Sequence, residues 1–369
     1  MTLPGSSQPI SFGQIRTEFG HGTNRVGQYR RDDPDFSNKT VGDLANQPLD
    51  TGIPTGSTDP IKWSDFHGKS LNVVVDYHSG SDENRPEHGH DRYSSAATQL
   101  GKSDNKWTTI GGFKDRPSDS AGTKVKIHVN KTIGSEVSPD EDVCALRTGA
   151  EWGGSTILSV DVGDEGAIYG AGGKGGNAGG DGNAGGAGGE GNSALGIQYG
   201  TDANETTVNV NSGGLIICGY GGGGAGAGAH DSDDDGFWNF ESEELYGSGG
   251  PGGGGAGLPA GAKGENASGG AVARSGDLPD LDSEREGGEG GAGTGDVDNA
   301  VGGTGGRGGD TEVAAAGGGN PAYGEIAGDA GPAGEAGSAI RKTSASIKWA
   351  FGSNAGNVMG ETTEAGGVI

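Results

Sequence analysis

The chain has 369 residues, of which 84 are glycine and only 30 % are hydrophobic, so a single apolar core running through the whole length is excluded. Its formal charge of −26 repels phosphate backbones and anionic leaflets, and nucleic acid is not expected among its partners. Apolar stretches such as Val73–Val75 and Leu215–Cys218 are far too short to span a bilayer.

Residues 1–70 read as an N-terminal module of short elements. Pro9-Ile10-Ser11-Phe12-Gly13-Gln14-Ile15 is echoed by Pro60-Ile61-Lys62-Trp63-Ser64-Asp65-Phe66. In each copy an extended Pro-Ile entry leads into a helix-like turn, which Ser11 and Ser64 are expected to cap. Met1–Ser7 has neither a basic n-region nor an apolar h-region, so no Sec leader is expected. Residues 31–60 are rich in turn formers and read as irregular connection.

Residues 71–162 carry the period-two pattern of strands. Examples are Leu71–Val75, Thr123–Val129 and Thr156–Val162; in the second, Val125, Ile127 and Val129 alternate with polar residues. With turn-rich segments between them, these runs predict a small antiparallel β-domain of sandwich type. Cys144 and Cys218 each sit in a short apolar run and read as buried thiols, with a disulfide between them as the alternative.

Sixty of the glycines fall within residues 163–340. Gly170, Gly173, Gly176, Gly179, Gly182, Gly185, Gly188 and Gly191 recur at a strict spacing of three; Gly303, Gly306 and Gly309, then Gly328, Gly331, Gly334 and Gly337, continue the pattern. Period three is neither α-helical nor β; it belongs to polyproline II. Disorder, a collagen-like triple helix and a bundle of polyglycine-II helices compete as explanations. Ordering sixty glycines costs on the order of 30–60 kcal/mol relative to alanine, so order requires that bare backbones pack closely and hydrogen-bond to one another. Glycines held in register favour the bundle. Thr206–Val210 and Leu215–Cys218 are expected as two strands capping it, and 341–369 as a closing β-segment and tail. The predicted fold is therefore mainly β and irregular with very little α-helix, in four units: 1–70, 71–162, 163–340 and 341–369.

Asp231, Asp233, Asp235 and Gly236 match D-x-D-x-D-G, the opening of a calcium loop. Ser242, not Glu, stands at the twelfth position, so a solvated acidic loop is the competing reading. No cofactor is required; Ca²⁺ is the only candidate. Phe237, Trp238, Phe240 and Tyr246 place aromatics in the same polar loop, either packed on the bundle or exposed as binding anchors. His88-Gly89-His90 is a lone H-x-H. The sequence has no G-x-S-x-G, H-E-x-x-H, P-loop or C-x-x-C motif, and no enzymatic activity is expected.

The combination resembles bacteriophage tail-fibre or receptor-binding proteins of marine and cyanobacterial type. The resemblance rests on Ile10–Arg16 with Ile61–Ser70, on Val125–Val129, Asn130–Gly134 and Cys144–Gly149, and on Gly166–Gly173 and Ser338–Lys342 flanking the glycine-rich run. That run is similar to the distal adhesins of T-even-type phages, whose polyglycine-II sandwich displays hypervariable loops. The resemblance implies that the N-terminal module attaches to other virion tail proteins. It also implies recognition of a host outer-membrane protein or lipopolysaccharide through residues 230–246, 258–268 and 272–286, with His230, Phe237, Trp238, Phe240, Tyr246, Leu258, Leu278 and Leu281 as contacts. It further implies a virion location after synthesis in the host cytoplasm. Phage fibres imply a homotrimer, the T-even tip a single chain. The chain departs from the T-even adhesins in having its own N-terminal module and β-domain. A purely structural neck, collar or baseplate protein and a polyglycine-II ice-binding protein are the alternative readings; a depolymerase spike would need a long β-helix with paired carboxylates, which the sequence does not suggest.

Overall fold

The computed structural model describes residues 3–19, 60–69, 73–78, 124–135, 144–148, 157–200, 203–233, 243–267, 275, 287–296, 300–309, 314–321, 326–342, 347–349 and 357–364. In the N-terminal module, α1 (Phe12–Phe19) starts from a capping box. Ser11 Oγ accepts from the Gln14 amide at 3.2 Å, and Gln14 Oε1 accepts from the Ser11 amide at 2.7 Å. The echo forms a 3-10 turn at Trp63–Phe66, closed by Asp65 Oδ2 accepting from the Lys62 amide at 2.7 Å. Ser64 therefore lies inside its turn and is not the cap; Lys62 occupies the position that Ser11 holds in the first copy. Phe12 and Trp63 meet edge to face at 5.8 Å, and Ile15 and Phe66 are both fully buried.

The chain continues through β1 (Val73–His78), β2 (Lys124–Asn130), β3 (Thr132–Ile133), β4 (Cys144–Arg147), β5 (Ile157–Val162), β6 (Ala167–Tyr169), β7 (Ser193–Ile197), β8 (Thr206–Val210) and β9 (Leu215–Ile217). Short strands β10 (Ala229–Asp233), β11 (Glu243–Gly247), β12 (Gly295–Asp296), β13 (Ala300–Val301) and β14 (Ile326–Ala327) follow. The last strands are β15 (Ser338–Lys342), β16 (Ile347–Trp349), β17 (Val358–Met359) and β18 (Glu361–Glu364).

Three of the sheets are wholly parallel: β1-β2-β5-β8-β16, β3-β6-β9-β17 and β4-β7-β15-β18. The chain visits them in the same order on every circuit, as β2-β3-β4, β5-β6-β7, β8-β9-β15 and β16-β17-β18. This is a three-sided parallel β-solenoid, and the antiparallel sandwich is corrected accordingly. Period-two alternation reports that one face is buried, but not which way the neighbouring strand runs.

Each side contributes an in-register apolar ladder to one core: Ile127–Val160–Val208, Ile133–Ile168–Ile216 and Leu146–Leu195–Ile340. Leu3, Ile15 and Phe66 of the N-terminal module join the same buried cluster. The corner between the first and second sheets is tied by side chains. Asp164 Oδ1 accepts from Ser212 Oγ at 3.1 Å, and Asn357 Nδ2 donates to the carbonyls of Ser212 and Gly214 at 2.9 Å. Cys144 and Cys218 are buried and not joined in a disulfide.

The glycine-rich chain leaves the solenoid twice at the corner between the second and third sheets: at 170–192, between β6 and β7, and at 218–337, between β9 and β15. The expected boundaries at 162 and 340 therefore do not separate sheet from glycine-rich chain. Strands β6 to β9 lie between those positions and β15 runs across 340, yet all belong to the solenoid, and β8 and β9 are coil strands, not a cap on the bundle.

Residues 170–192 are two segments, not one rod. The chain reverses at 180–183, where Asp181 and Gly182 have φ of 52° and 70°. The returning segment then donates from Gly186, Gly189 and Asn192 to the carbonyls of Asn177, Lys174 and Ala171. Of the eight registered glycines, Gly182 alone serves the turn. Gly173, Gly176 and Gly179 donate to Tyr220, Gly223 and Gly226; Gly185, Gly188 and Gly191 donate to Asp329, Pro332 and Glu335. Spacing by three recurs throughout. The segment 218–228 is enclosed, with backbone bonds to 170–179, 184–192, 248–257, 302–309, 314–320 and 328–337. A Cβ on Gly222 would stand 2.1 Å from the Lys174 carbonyl oxygen, and one on Gly188 1.9 Å from that of Gly222. Bare glycine faces are thus what lets these backbones meet.

Candidate functional site at the far end of the glycine-rich bundle

Backbone pairing fixes which loops lie together. Starting from β6, residues 170–179 run away from the solenoid. At their far end Gly179 donates to Gly226, Gly249 to Gly179, Gly250 to Gly303, Thr294 to Ser248, Ala227 to Gly319 and Gly328 to Gly228. The turn 180–183, the β10–β11 ribbon, the β12–β13 hairpin and β14 therefore converge on one tip, although they are remote in sequence. At the near end Leu258 donates to Gly170, Gly337 to Gly219 and Ser135 to Leu258. There Ser135 Oγ accepts from the Ala171 amide at 2.9 Å and from Asn192 Nδ2 at 3.1 Å, binding the bundle to the solenoid.

At the tip β10 pairs antiparallel with both β11 and β14, aligning Tyr246, His230 and Ile326 in one row. The Tyr246 and His230 rings stack at 5.0 Å with 11° between planes. Tyr246 is 48 % exposed. His230 is half-buried, and its Nε2 has no hydrogen-bond partner among the described residues. In the same ribbon Asp231 pairs with Leu245, Ser232 with Glu244 and Asp233 with Glu243. Asp181, Asp296 and Asp329 also lie at this end, and no Lys or Arg is found among the tip's described residues.

The structure thus brings His230 and Tyr246 together at the tip. It separates Leu258 from them: that residue lies at the near end, half-buried against Ala167, Tyr169 and Ile217 of the solenoid, and is removed from the contact set. Its apolar side chain in a polar stretch is packing, not display. Phe237, Trp238, Phe240, Leu278, Leu281, Asp235, His88 and His90 lie outside the described residues. Asp231 and Asp233 are in the extended strand β10, not in the tight turn a calcium loop requires. Among the described residues no group of three or more His, Cys, Asp or Glu can hold a metal ion, and no helix is long and apolar enough to cross a membrane.

Sequence reasoning missed the turn 180–183, the β12–β13 hairpin and β14. For the last two the signal was present in the breaks of the triplet pattern: interruptions after Gly293 and Gly319 fall at the same end because successive segments run up and down, whereas Gly182 keeps the register through the turn 180–183 and hides it.

A family model described as "Phage tail fibre adhesin Gp38" matches residues 98–363. Among solved structures, the gp37–gp38 adhesin tip complex of the bacteriophage S16 long tail fibre is similar, with 19 % identity and a TM-score of 0.37, over 98 % of this chain and 100 % of that one. No curated protein matches.

Proposed function

This chain belongs to the Gp38 family of phage tail fibre adhesins, and on that premise we propose that its far tip, centred on the β10–β11–β14 sheet, is the surface that touches the host cell. A tail fibre adhesin is a component of the virion tail and binds the host. The observation that carries the assignment to the tip is convergence: loops far apart in sequence meet at the end of the bundle opposite the solenoid. Loops held by a rigid frame are where binding surfaces are usually built.

In this reading the frame is a polyglycine-II bundle. The three-residue spacing of its inter-segment bonds and the enclosure of 218–228 support that conformation. Such a frame is held by backbone groups, so the tip's side chains are left to vary with the receptor. The protein acts by holding, without chemical transformation. Residues 1–70 form the attachment to other tail proteins; Trp63, 46 % exposed beside Phe12, offers an aromatic contact there. The host ligand is an outer-membrane protein or lipopolysaccharide.

The test is a phage carrying the adhesin with residues 230–246 exchanged for the corresponding segment of a relative with a different host. The expected outcome is assembled virions with altered host range. Unaltered host range would overturn the assignment to this tip.

A further inference from the structure

We infer that Ser135 and Leu258 are positioning residues: together they form a latch that holds the glycine-rich bundle in one direction on the solenoid and so aims the adhesive tip; this rests on the tip being the host-contact surface. The bundle chain passes in and out of the solenoid at 170, 192, 218 and 337, all at one corner of the second and third circuits. There Gly170 donates to Ile217, Asn192 to Ala171, Gly219 to Asn192 and Gly337 to Gly219. Bonds confined to one corner resist a lean of the bundle only weakly, because their lever arm is short. Residues 170–179 reach about 30 Å from that corner at the rise of polyproline II, so a lean of about 10° displaces the tip by about 5 Å.

A second attachment lies off the corner. The bend 256–259 of the second excursion comes back to the solenoid, where Leu258 is half-buried against Ala167, Tyr169 and Ile217. Those three alternate with the core residues Ile168 and Ile216, so they line the outer face of the second sheet. Ser135 follows β3 in the first circuit, next to the circuits that send out the bundle. It is fully buried, and its amide donates to the Leu258 carbonyl at 3.0 Å. Its Oγ accepts from the Ala171 amide at 2.9 Å and from Asn192 Nδ2 at 3.1 Å. One solenoid residue thus grips both ends of the first excursion and the bend of the second. The excursions are also fastened to each other at this point. Leu258 donates to the Gly170 carbonyl and Gly172 to that of Pro259, and a Cβ on Gly257 would stand 2.2 Å from the Gly172 nitrogen. The apolar contact stops the bundle folding down on the second sheet, and the hydrogen bonds stop it lifting away.

The experiment measures the spread of distances between two spin labels in the full-length protein, introduced through Ile157→Cys, exposed on the first sheet, and Ala184→Cys, exposed near the tip. Cys144 and Cys218 are buried and stay unlabelled in the folded protein. The labelled parent is expected to give one narrow distribution. Ser135→Ala deletes the Oγ acceptor and Leu258→Ala the apolar contact; each should widen the distribution about twofold or more, whereas the volume-conserving Leu258→Met should leave it narrow. Residues that only stabilised the fold would lower the melting temperature without widening the distribution of the folded protein. If Leu258→Ala does not fold, Ser135→Ala decides through the same distances. Phage carrying a widened variant should adsorb several-fold more slowly, because the fibres of one virion must engage together. The free variant, its tip untouched, should bind cells as wild type does. An unwidened distribution overturns the latch, whatever the tip binds. Widening with unchanged phage adsorption overturns its role in aiming the tip. The tip itself is judged separately, by a chain in which Asn-Gly replaces residues 230–246 and closes the paired residues Ala229 and Gly247 with a two-residue turn. Full cell binding by that chain removes the host-contact reading and leaves the latch to stand on the distances.

Discussion

His230 and Tyr246 face each other across β10 and β11, their rings stacked at 5.0 Å. The pair places an exposed aromatic ring at the point where the bundle ends and the tip sheet begins. Tyr246→Ala is expected to weaken binding to host cells by about tenfold or more, the loss typical of an aromatic anchor. Its melting temperature should stay close to wild type, because Tyr246 is 48 % exposed. Parallel cell-binding and calorimetric measurements separate the two effects.

The bundle predicts a sharp contrast between neighbouring glycines. A Cβ on Gly176 would lie 2.0 Å from the Gly186 carbonyl oxygen, whereas one on Gly180 meets nothing nearer than the Ala267 Cβ at 3.4 Å. Gly176→Ala must push two backbones apart and break their three-residue bond ladder, a destabilisation on the order of 3 kcal/mol or more. Gly180→Ala should stay within about 0.5 kcal/mol of wild type. Chemical denaturation of the two variants side by side checks this.

Leu195 occupies the middle of the Leu146–Leu195–Ile340 ladder and is fully buried. Leu195→Ala is expected to cost about 2–5 kcal/mol. Because β7 and β15 receive the chain as it returns from the glycine-rich segments, the solenoid and the bundle should lose structure together. Hydrogen exchange at 158–162 and at 219–226 would show the same increase in both regions.

Asn357 closes the last corner through its Nδ2, which donates to the carbonyls of Ser212 and Gly214 at 2.9 Å. Asn357→Ala leaves those acceptors without that donor and should destabilise by about 1–3 kcal/mol. Thermal scanning checks the magnitude, and host binding, which involves the opposite end of the bundle, should be unchanged per folded molecule.

Gly170 to Gly191 in steps of three made the close backbone packing of the glycine-rich part readable, because that period fits neither an α-helix nor a β-strand. The sequence also located the strands at Thr206–Val210 and Ile157–Val162, where apolar and polar residues alternate. Their direction was hidden: Val160 looks the same beside a parallel or an antiparallel neighbour. The coil order was hidden too, since the glycine-rich chain separates β9 from β15, and nothing local in Leu215–Ile217 points to Ser338. At the site, Tyr246 stood out as an aromatic residue in a polar loop, whereas His230 and Leu258 were named only through the loops that the resemblance implies. Leu258 packs against the solenoid, because exposure is decided by the register of the segments and not by the composition of the loop. Asp231 and Asp233 fit a calcium spacing in one dimension, but pairing with β11 extends them into a strand.

The most direct test of the account is the binding of fluorescently labelled full-length protein to candidate host cells, with the chain in which Asn-Gly replaces residues 230–246 as control. The account predicts saturable labelling by the wild type and its loss in the control, with both proteins folded by thermal melting. Equal labelling by the two would contradict it and move the host contact away from the β10–β11 tip.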